Sequence, residues 1–565
     1  MAITLSGDGI ARANLAADVI DSTKLADDAV NSEHYVDASI DNAHLADDAV
    51  GVAELSATGT ASSSTFLRGD NSWATAGASS INDLSDATTS ASGADSILGL
   101  GSTALDSKSG GGWETAVGIN ALTASTSGVS NVAIGFNSQT TLTTGSNNTS
   151  IGTDSLKLNV TSSHNVAVGK SALLNNTGAN HTAVGYNALL ANTTAPAGNT
   201  AIGYGAMEAN TTGGYSTAIG YRALYAQTTG DDNTAIGYST MLDNTTGIEN
   251  VAVGSWALQN NTTGQDNSVV GVNAMRFNTT GNNNVAVGRQ TLYQNTTGQY
   301  NVAIGKQALE NNTTASTNTA VGYDCLKTNT TGNELTAIGT NAMYANTTAS
   351  DNTTVGYNSL KVNTTGYNNT AVGSGSMDLN TTGEKNTAVG MDSMKNMTTG
   401  VQNTAVGWDA GGGTTTGNYN CSLGVLAEPS SGTANGQMTL GNNSIQDLRC
   451  DDTSISSLSD ERDKTNIIDI PLGIDFLNTV RPVCFDWDRR DGSKVGWKAF
   501  GFIAQELLVA GNATDYASHM RLVSEENPDK LEADPMKMFP ILVKAIQELS
   551  AQNEALSARI TTLEG

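Results

Sequence analysis

Charged and aromatic residues are both scarce in this chain. Charged residues occupy 14% of its 565 positions and aromatic residues 5%, whereas charged residues alone make up about 25% of an average globular protein. Hydrophobic residues, at 38%, are also few, and the bulk of the sequence is Gly, Ser, Thr, Asn and Ala. This composition argues against a large globular enzyme and favours a fibrous β-protein.

Basic residues are particularly few. The chain has 27 Lys and Arg against 54 Asp and Glu, which gives a formal net charge of −27. A surface of this sign repels nucleic acid, and the sequence contains no basic stripe that would offset it. We therefore expect no nucleic-acid partner.

Cysteine and histidine offer no framework for a disulfide, a metal or a cofactor. The four cysteines stand singly and are predicted to be unpaired thiols, and the five histidines are scattered without metal-ligand spacing: Cys325, Cys421, Cys450, Cys484, His34, His44, His164, His181 and His519. Glycine pairs such as Gly373-Ser-Gly375 lack the strand-to-helix setting of a phosphate loop. No cofactor and no metal are expected.

Long apolar runs are absent as well. No segment approaches the roughly 18 apolar residues that would cross a bilayer, and the stretch that follows Met1 lacks the basic and apolar regions of a secretion signal. We expect neither secretion through a signal peptide nor insertion into a membrane.

What the chain does have is a glycine at a nearly constant interval. Twenty-one glycines recur from Gly101 to Gly441 at a mean spacing of 17 residues, with one interval of 16 and one of 18 on either side of Gly185. Self-similarity at a fixed period indicates a stacked-repeat architecture.

Each repeat has two apolar positions and one turn motif, as in the unit Asn233–Gly247. A Val or Ile precedes the periodic glycine, a Leu or Met follows it by four residues, and Asn-Thr-Thr-Gly closes the unit. We interpret the closing motif as a turn, because Asn and Gly tolerate positive φ and the Asn side chain can bond its own backbone. One unit cannot bury a core alone, but stacked units align Val/Ile, Leu/Met, Asn and Thr into rows. The prediction is a rod of 17-residue β-coils, with three chains packed around one axis.

Composition and periodicity predict five regions. Residues 1–56 carry a ten-residue leucine repeat, which resembles segments near the N-termini of phage fibres, and this resemblance implies that they attach the protein to a virion. Residues 57–100 are predicted to form a connector with short strands. The repeat shaft covers 101–407 and a distal tip 408–458. At 459–565 charges, Pro and Trp appear and the period stops, so this is predicted to be a separate α+β domain.

Several motifs of the last region carry a resemblance to a known family. They are, in order, Ser459-Asp-Glu-Arg-Asp-Lys464-Thr-Asn-Ile467, Leu477–Val483, Phe485-Asp-Trp487, Gly501–Glu506 and Ile541–Leu549. Together they resemble the endosialidase-type intramolecular chaperone that ends many phage tail spikes and fibres. The shaft motif is similar to the Asn-Thr-Ala-Val-Gly-Tyr repeats of bacteriophage tail fibres and to the glycine-terminated repeats of trimeric adhesin heads.

The resemblance implies a self-cleaving Ser-Lys site. By position, Ser459 is the expected nucleophile, Lys464 its general base, and Leu458–Ser459 the bond that is cut, with Asp460 and Arg462 as supporting residues. A serine hydroxyl needs a nearby base, and a desolvated lysine can serve as one. Asp463 and Thr465 depart from the family's pattern. At most a single-turnover autoproteolysis is expected, with no external substrate.

The end of the chain predicts a coiled coil. Leucine and isoleucine alternate at 4-3 spacing through the positions Leu542, Ile546, Leu549, Asn553, Leu556, Ile560 and Leu563. Ile at a with Leu at d is usually typical of dimers, whereas the β-rod and the family resemblance favour a trimer.

These patterns favour a homotrimeric phage tail fibre, made in the host cytoplasm and located in the virion. Its expected partners are its own copies, a tail or adaptor protein at the N-terminus, and a glycan or protein receptor on the host. The receptor-binding surface is expected either at the tip or on exposed Tyr and Asn rows of the shaft, unless those rows only stabilise the stack. Two alternatives remain: a polysaccharide-depolymerising tail spike, which needs an acidic cleft, and a cellular trimeric adhesin, which needs a signal and a membrane anchor.

Overall fold

The computed structural model describes most of the shaft and of the C-terminal domain. The described residues are 65–67, 73–75, 87–90, 97–109, 112–193, 198–445, 449, 459–490, 492, 495–525, 527–529 and 531–565. The predicted attachment segment at 1–56 and the residue Leu458 lie outside them.

The chain divides into two units, Met1–Ser85 and Asp86–Gly565. In the first unit, strand β1 (Thr65–Leu67) pairs antiparallel with β2 (Trp73–Thr75). Both strands fall in the segment that the sequence predicts to be a connector.

The second unit begins with a long, mostly parallel sheet. Strand β3 (Ala87–Ser90) pairs antiparallel with β4 (Ile97–Leu100), and each later strand then pairs in parallel with the one before it. The strands β5 to β24 are Glu114–Val117, Val132–Ile134, Thr149–Ile151, Val166–Val168, Thr182–Val184, Thr200–Ile202, Thr217–Ile219, Thr234–Ile236, Val251–Val253, Ser268–Val270, Val285–Val287, Val302–Ile304, Thr319–Val321, Thr336–Ile338, Thr353–Val355, Thr370–Val372, Thr387–Val389, Thr404–Val406, Cys421–Leu423 and Met438–Leu440. One strand thus precedes each of the 21 periodic glycines, which confirms the predicted solenoid of 17-residue coils.

The irregular intervals around Gly185 do not disturb this register. Val184 of β9 lies opposite Val168 of β8 on one side and Ile202 of β10 on the other. The missing residue falls between Asn176 and His181, in the turn that closes the shorter coil. A length change in a turn leaves the paired strands aligned, so the stack continues unbroken.

Two glycines in most coils lie close against the next coil, and Ser162, Ala315, Ala349 and Ala434 take the place of the second glycine in other coils. A Cβ on Gly237 would lie 2.8 Å from the carbonyl oxygen of Gly254, and one on Gly247 would lie 2.4 Å from that of Gly264. Gly237 has a φ of +137°, but the φ of Gly247, the last residue of Asn-Thr-Thr-Gly, is not positive. The second glycine therefore relieves crowding against the next coil where it occurs, and it does not supply the positive φ on which the turn interpretation rested.

Positive φ occurs instead at three further positions of each coil. In one coil these are Ser239 (φ 50°), Met241 (φ 48°) and Glu249 (φ 57°). Left-handed backbone is uncommon for residues other than glycine and costs free energy, so its recurrence shows that the stack as a whole imposes it. These residues bend the chain sharply enough to close a coil of 17 residues.

The two apolar rows of the repeat lie on opposite sides of the coil wall. Met241 is buried together with Ala235 and Thr240, whereas Ile236 is 37% exposed. In a strand of three residues, alternation points the middle side chain inward and the outer two outward. Both rows form ladders, as predicted, but only the Leu/Met row belongs to the core.

Buried asparagines form two rows inside the stack, each interrupted at a few coils by other residues. In the first row, four residues before the periodic glycine, Asn250 donates its backbone N–H to Oδ1 of Asn233 at 3.0 Å. In the second row, seven residues after that glycine, Asn278 donates from Nδ2 to Oδ1 of Asn261 at 2.8 Å. The same Nδ2 donates to the carbonyl oxygen of Gly281 at 3.0 Å, so each amide bonds both its own turn and a neighbouring coil.

The first row begins on a buried carboxylate. Glu114 accepts a hydrogen bond from Nδ2 of Asn131 at 2.9 Å, and Nζ of Lys108 lies 3.1 Å from its Oε2. Because the amides of this row donate towards the N-terminal end, the first coil must supply an acceptor. Glu114 supplies it, and Lys108 balances its buried charge.

The C-terminal domain is small and mixed α/β, as predicted. It contains α1 (Ile474–Leu477), β25 (Val483–Trp487), β26 (Trp497–Gly501), α2 (Ala504–Asn512), α3 (Ala517–Met520), β27 (Val523–Ser524), β28 (Glu532–Ala533) and α4 (Phe539–Glu564). Strands β25 and β26 pair antiparallel, as do β27 and β28. Its buried core is formed by Phe476, Leu507, Met520, Leu522, Val523, Met538 and Ile541.

The described cysteines are free, as predicted. Cys325 is buried in the shaft, Cys421 is half-buried and Cys484 is exposed. Burial raises the pKa of the Cys325 thiol to about 12. Cys450 lies outside the described residues.

One irregularity in the first asparagine row predicts a pH dependence of stability. His181 replaces asparagine there, and its Nδ1 accepts from the N–H of Asn199 at 3.3 Å. Burial lowers the pKa of His181 from 6.5 to about 4. Its stabilising contribution is therefore present above pH 6.5 and is lost as the pH falls from 6.5 towards 4, a change of roughly 3 kcal/mol.

We expect His181→Asn to weaken the pH dependence of the thermal unfolding temperature between pH 7 and pH 4.5, measured by circular dichroism. Other groups also titrate in this range, so the quantity to compare is the difference between the variant and the wild type. His164→Asn, at an exposed position of the preceding coil, is the control and should leave that dependence unchanged. Identical pH profiles for wild type and His181→Asn would contradict the prediction.

Candidate cleavage site and receptor-binding surfaces

A short turn brings the predicted nucleophile and base together. Residues Glu461–Asp463 form one turn of 3-10 helix, and Asp460 caps its start by accepting the N–H of Arg462 at 2.9 Å. The chain leaves the turn at Lys464, and the side chain of this lysine extends back towards Ser459, which precedes the turn. Nζ of Lys464 lies 2.6 Å from Oγ of Ser459 and 3.1 Å from its carbonyl oxygen.

Asp460 and Arg462 form an ion pair across the same turn. Nη2 of Arg462 lies 2.6 Å from Oδ2 of Asp460, and Nε donates to Oδ1 at 3.0 Å. The guanidinium lowers the pKa of the Asp460 carboxyl, and the carboxylate raises the pKa of Arg462. Both side chains are exposed, so the pair shapes the turn more than it stabilises the domain.

The lysine lies at the edge of an apolar groove. A groove of 480 Å³ is lined by Lys464 together with Ile467, Ile468 and Ile541. Ile467 is 62% exposed and Ile468 66% exposed, and Ser459 and Lys464 are exposed too. A lysine acts as a base where burial favours its neutral form, so this site has the contacts of a Ser-Lys pair in a setting that is still open to water.

The comparison with protein families adds one finding. Residues 459–513 match the family model for the chaperone of endosialidase, Peptidase_S74. The match begins at Ser459 and covers the turn, β25, β26 and α2. No curated protein and no solved structure matches the chain.

The tyrosine row of the shaft is exposed, but its ring faces cover one another. The rings of Tyr186, Tyr204, Tyr221 and Tyr238 stack with successive centroids 5.0, 5.3 and 5.1 Å apart and interplanar angles of 8° to 13°. Stacking on a sugar would need a free ring face. Along these four coils the rings therefore present edges and hydroxyl groups, which supports the interpretation that the row stabilises the stack.

The asparagine rows are not a binding surface. Members of both rows, such as Asn250 and Asn278, are fully buried, and their amides already bond neighbouring coils. Stacking uses the hydrogen-bonding groups of these two buried rows, as the alternative interpretation predicts, whereas a receptor contact through exposed asparagines of the shaft, such as Asn333, stays a prediction.

The segment predicted to be a distal tip includes two further coils of the stack. Cys421 lies opposite Thr404, and Met438 opposite Cys421, in the same parallel register as the earlier strands. Trp408 and Tyr419 are exposed on these coils, at 44% and 64%. The proposed boundary at residue 408 and the receptor contact there stay predictions.

Neither a metal centre nor a membrane span emerges from the described residues. They contain no cluster of three or more His, Cys, Asp or Glu side chains that would hold a metal ion. None of their helices combines the length and the apolar character needed to cross a bilayer.

Proposed function

We propose that this protein is a homotrimeric phage tail fibre that attaches the virion to its host, with a C-terminal domain that drives trimer assembly. The observation that carries the proposal is the position of the chaperone-of-endosialidase match, which begins at Ser459 shortly after a stack of 21 coils. A chaperone for β-rods following such a rod is the arrangement expected of a fibre or spike.

The last helix supports self-association. Helix α4 buries Ile541 and Ala545 against its own domain, whereas the heptad residues beyond them are exposed: Leu542, Ile546, Leu549, Leu556, Ile560 and Leu563. A helix of 26 residues with an uncovered apolar face is stabilised when it packs against equivalent helices. Three copies of α4 around one axis would cover that face.

The Ser-Lys contact supports self-cleavage between Leu458 and Ser459. In the proposed reaction, neutral Lys464 takes the proton of the Ser459 hydroxyl, and Oγ attacks the carbonyl carbon of Leu458. The Leu458–Ser459 amide bond breaks as the Ser459 nitrogen gains a proton, which leaves Leu458 esterified to Oγ. Water then hydrolyses the ester and yields a carboxylate at Leu458 and a free amine at Ser459.

Assembly is proposed to activate this reaction. The exposed Ile467 and Ile468 lie beside Lys464 along one groove, and covering them with a neighbouring copy would exclude water from the lysine. Desolvation favours the neutral amine that the reaction needs. Cleavage would then follow trimer formation and would leave the unassembled chain intact.

We expect Ser459→Ala and Lys464→Met to abolish cleavage. Wild-type protein should give two fragments on a denaturing gel, residues 1–458 and 459–565, and each variant a single full-length band. Thr465→Ala, next to the lysine but outside the contact, is the control and should still be cut. An uncut wild type, or a Lys464→Met variant that is cut normally, would contradict the proposed chemistry.

Trimer assembly should depend on the exposed face of α4. Ile546→Asp places a charge among the heptad residues and should shift the chain from trimer to monomer in analytical ultracentrifugation. Ala551→Asp adds the same charge to the opposite side of the helix and should leave the trimer intact. A trimeric Ile546→Asp protein would show that α4 is not the assembly face.

The attachment role is tested on the virion itself. Antibodies raised against the purified shaft should label phage tails in electron micrographs and should lower adsorption to host cells several-fold, whereas antibodies that bind an unrelated capsid protein should not. Labelling of bacterial surfaces in uninfected cultures, with no labelling of phage particles, would favour the cellular adhesin instead.

A further inference from the structure

The outward side of the shaft strands carries two uninterrupted rows of uncharged side chains. We call the surface formed by these two rows the strand face. From β5 to β24 it has two positions per coil, the residue just before the periodic glycine and the residue two places earlier, as in Thr234 and Ile236. The position before the glycine is Val, Ile or Leu in every one of these strands, and the other is Thr, Val, Ser, Cys or Met.

The strand face is accessible along its length. None of its residues is buried, and the exposed fraction is 40% at Ile304, 44% at Val270 and 66% at Met438. The charged side chains of the same coils lie on other edges, where Lys327 pairs with Glu310 at 3.5 Å and Lys395 with Asp409 at 3.0 Å. The repeat therefore separates an uncharged surface, in which an aliphatic row lies beside a row of mostly Thr and Val, from its charged edges.

This surface is large enough for a stable interface. At about 4.8 Å between strands, the twenty strands form a face about 90 Å long, and two side chains across give it a width of about 10 Å. The resulting area, on the order of 900 Å², matches the roughly 800 Å² that each partner contributes to a standard protein interface. The aliphatic row alone makes up about half of this area, and monomeric proteins rarely leave a contiguous apolar patch larger than a few hundred Å² uncovered.

We propose that the strand face is where copies of this chain pack against one another along the shaft. The occupant must match a 17-residue period over the whole length of the rod, and a second copy does so because it carries the same rows at the same spacing. A glycan fits less well than a second copy, because the Val/Ile row offers no hydrogen-bonding group, the other row offers only the hydroxyl groups of its Thr and Ser residues, and the face has no aromatic ring. This inference rests on the proposed homotrimer and adds to it which side of the shaft turns inward.

Site-specific photocrosslinking of the full chain tests the inference. A benzophenone amino acid is placed at Ile236 or Ile304 on the strand face, or, as controls, at the exposed turn residues Thr246, on the same coil as Ile236, or Thr297, on the coil before Ile304. Sedimentation of each protein before irradiation reports its oligomeric state. We expect multimeric proteins in all four cases, with covalent multimers formed from Ile236 and Ile304 several-fold more than from Thr246 and Thr297.

Each other outcome has a distinct meaning. A multimer that crosslinks from Thr246 and Thr297 but not from Ile236 and Ile304 would overturn the inference and leave the proposed assembly standing. A wild-type chain that sediments as a monomer, with no crosslinks from any position, would overturn both. A second measurement covers the case in which the benzophenone label itself disrupts packing at the strand face. Ile304→Asp should lower the unfolding temperature of the shaft more than Thr297→Asp does. Equal effects of the two substitutions would count against the strand face.

Discussion

The shaft depends on how closely one coil can approach the next. At both glycine rows the backbone of one coil lies so near the following coil that a Cβ would come within about 2.1 to 2.8 Å of a carbonyl carbon or oxygen. That approach allows backbone hydrogen bonds between coils within the strands and also at the corners, as from Gly254 to Ile236 and from Leu258 to Ala274. It also leaves a narrow interior, which accepts Ala, Ser, Thr, one Leu or Met and the two asparagine rows. The thin core is thus a consequence of the close stacking.

A core with so little apolar volume needs its polar groups fully paired. The asparagine rows meet this need, because the amides donate to a turn and, along most of each row, donate to or accept from a neighbouring coil. Where the second row is interrupted by Met397, Oδ1 of Asn380 is buried without a partner, and such a group costs about 1 to 3 kcal/mol. At the beginning of the first row, the Glu114 carboxylate supplies the acceptor that the polarity of the row requires. The need to pair buried polar groups therefore constrains the sequence at the ends of the asparagine rows and at their interruptions, as well as in the regular repeat.

Much of this fold could be predicted from the sequence, because period and composition leave few alternatives to a β-coil. The side of the coil wall on which each apolar row lies could not be predicted in this way. Ile236 and Met241 are both apolar, and only the width of the coil decides which of the two side chains faces inward. The left-handed backbone at Met241 was also beyond prediction, because local preference opposes it and the stack imposes it. For the candidate site, the pairing of Ser459 with Lys464 came from the resemblance alone. A spacing of five residues does not by itself indicate a contact, and these two side chains meet only because the turn at Glu461–Asp463 brings them together.

The regularity that makes the shaft stable also leaves it without a register of its own. If copies pack through the strand face, a shift of 17 residues brings nearly the same Thr and Val/Ile rows into contact, so the shaft cannot distinguish the correct alignment from a shifted one. Irregular coils, such as those with His181 and Met397, distinguish registers only weakly, because their differences are buried within one chain. The alignment must therefore be set at an end, where the sequence is not repeated.

The C-terminal domain is non-repetitive and carries the exposed heptad of α4, so it can align the three chains of the proposed trimer once. In the proposed trimer, an alignment set once at this end would be kept by the hydrogen bonds between coils, and the proposed cut at Ser459 would then release the domain without undoing the stack.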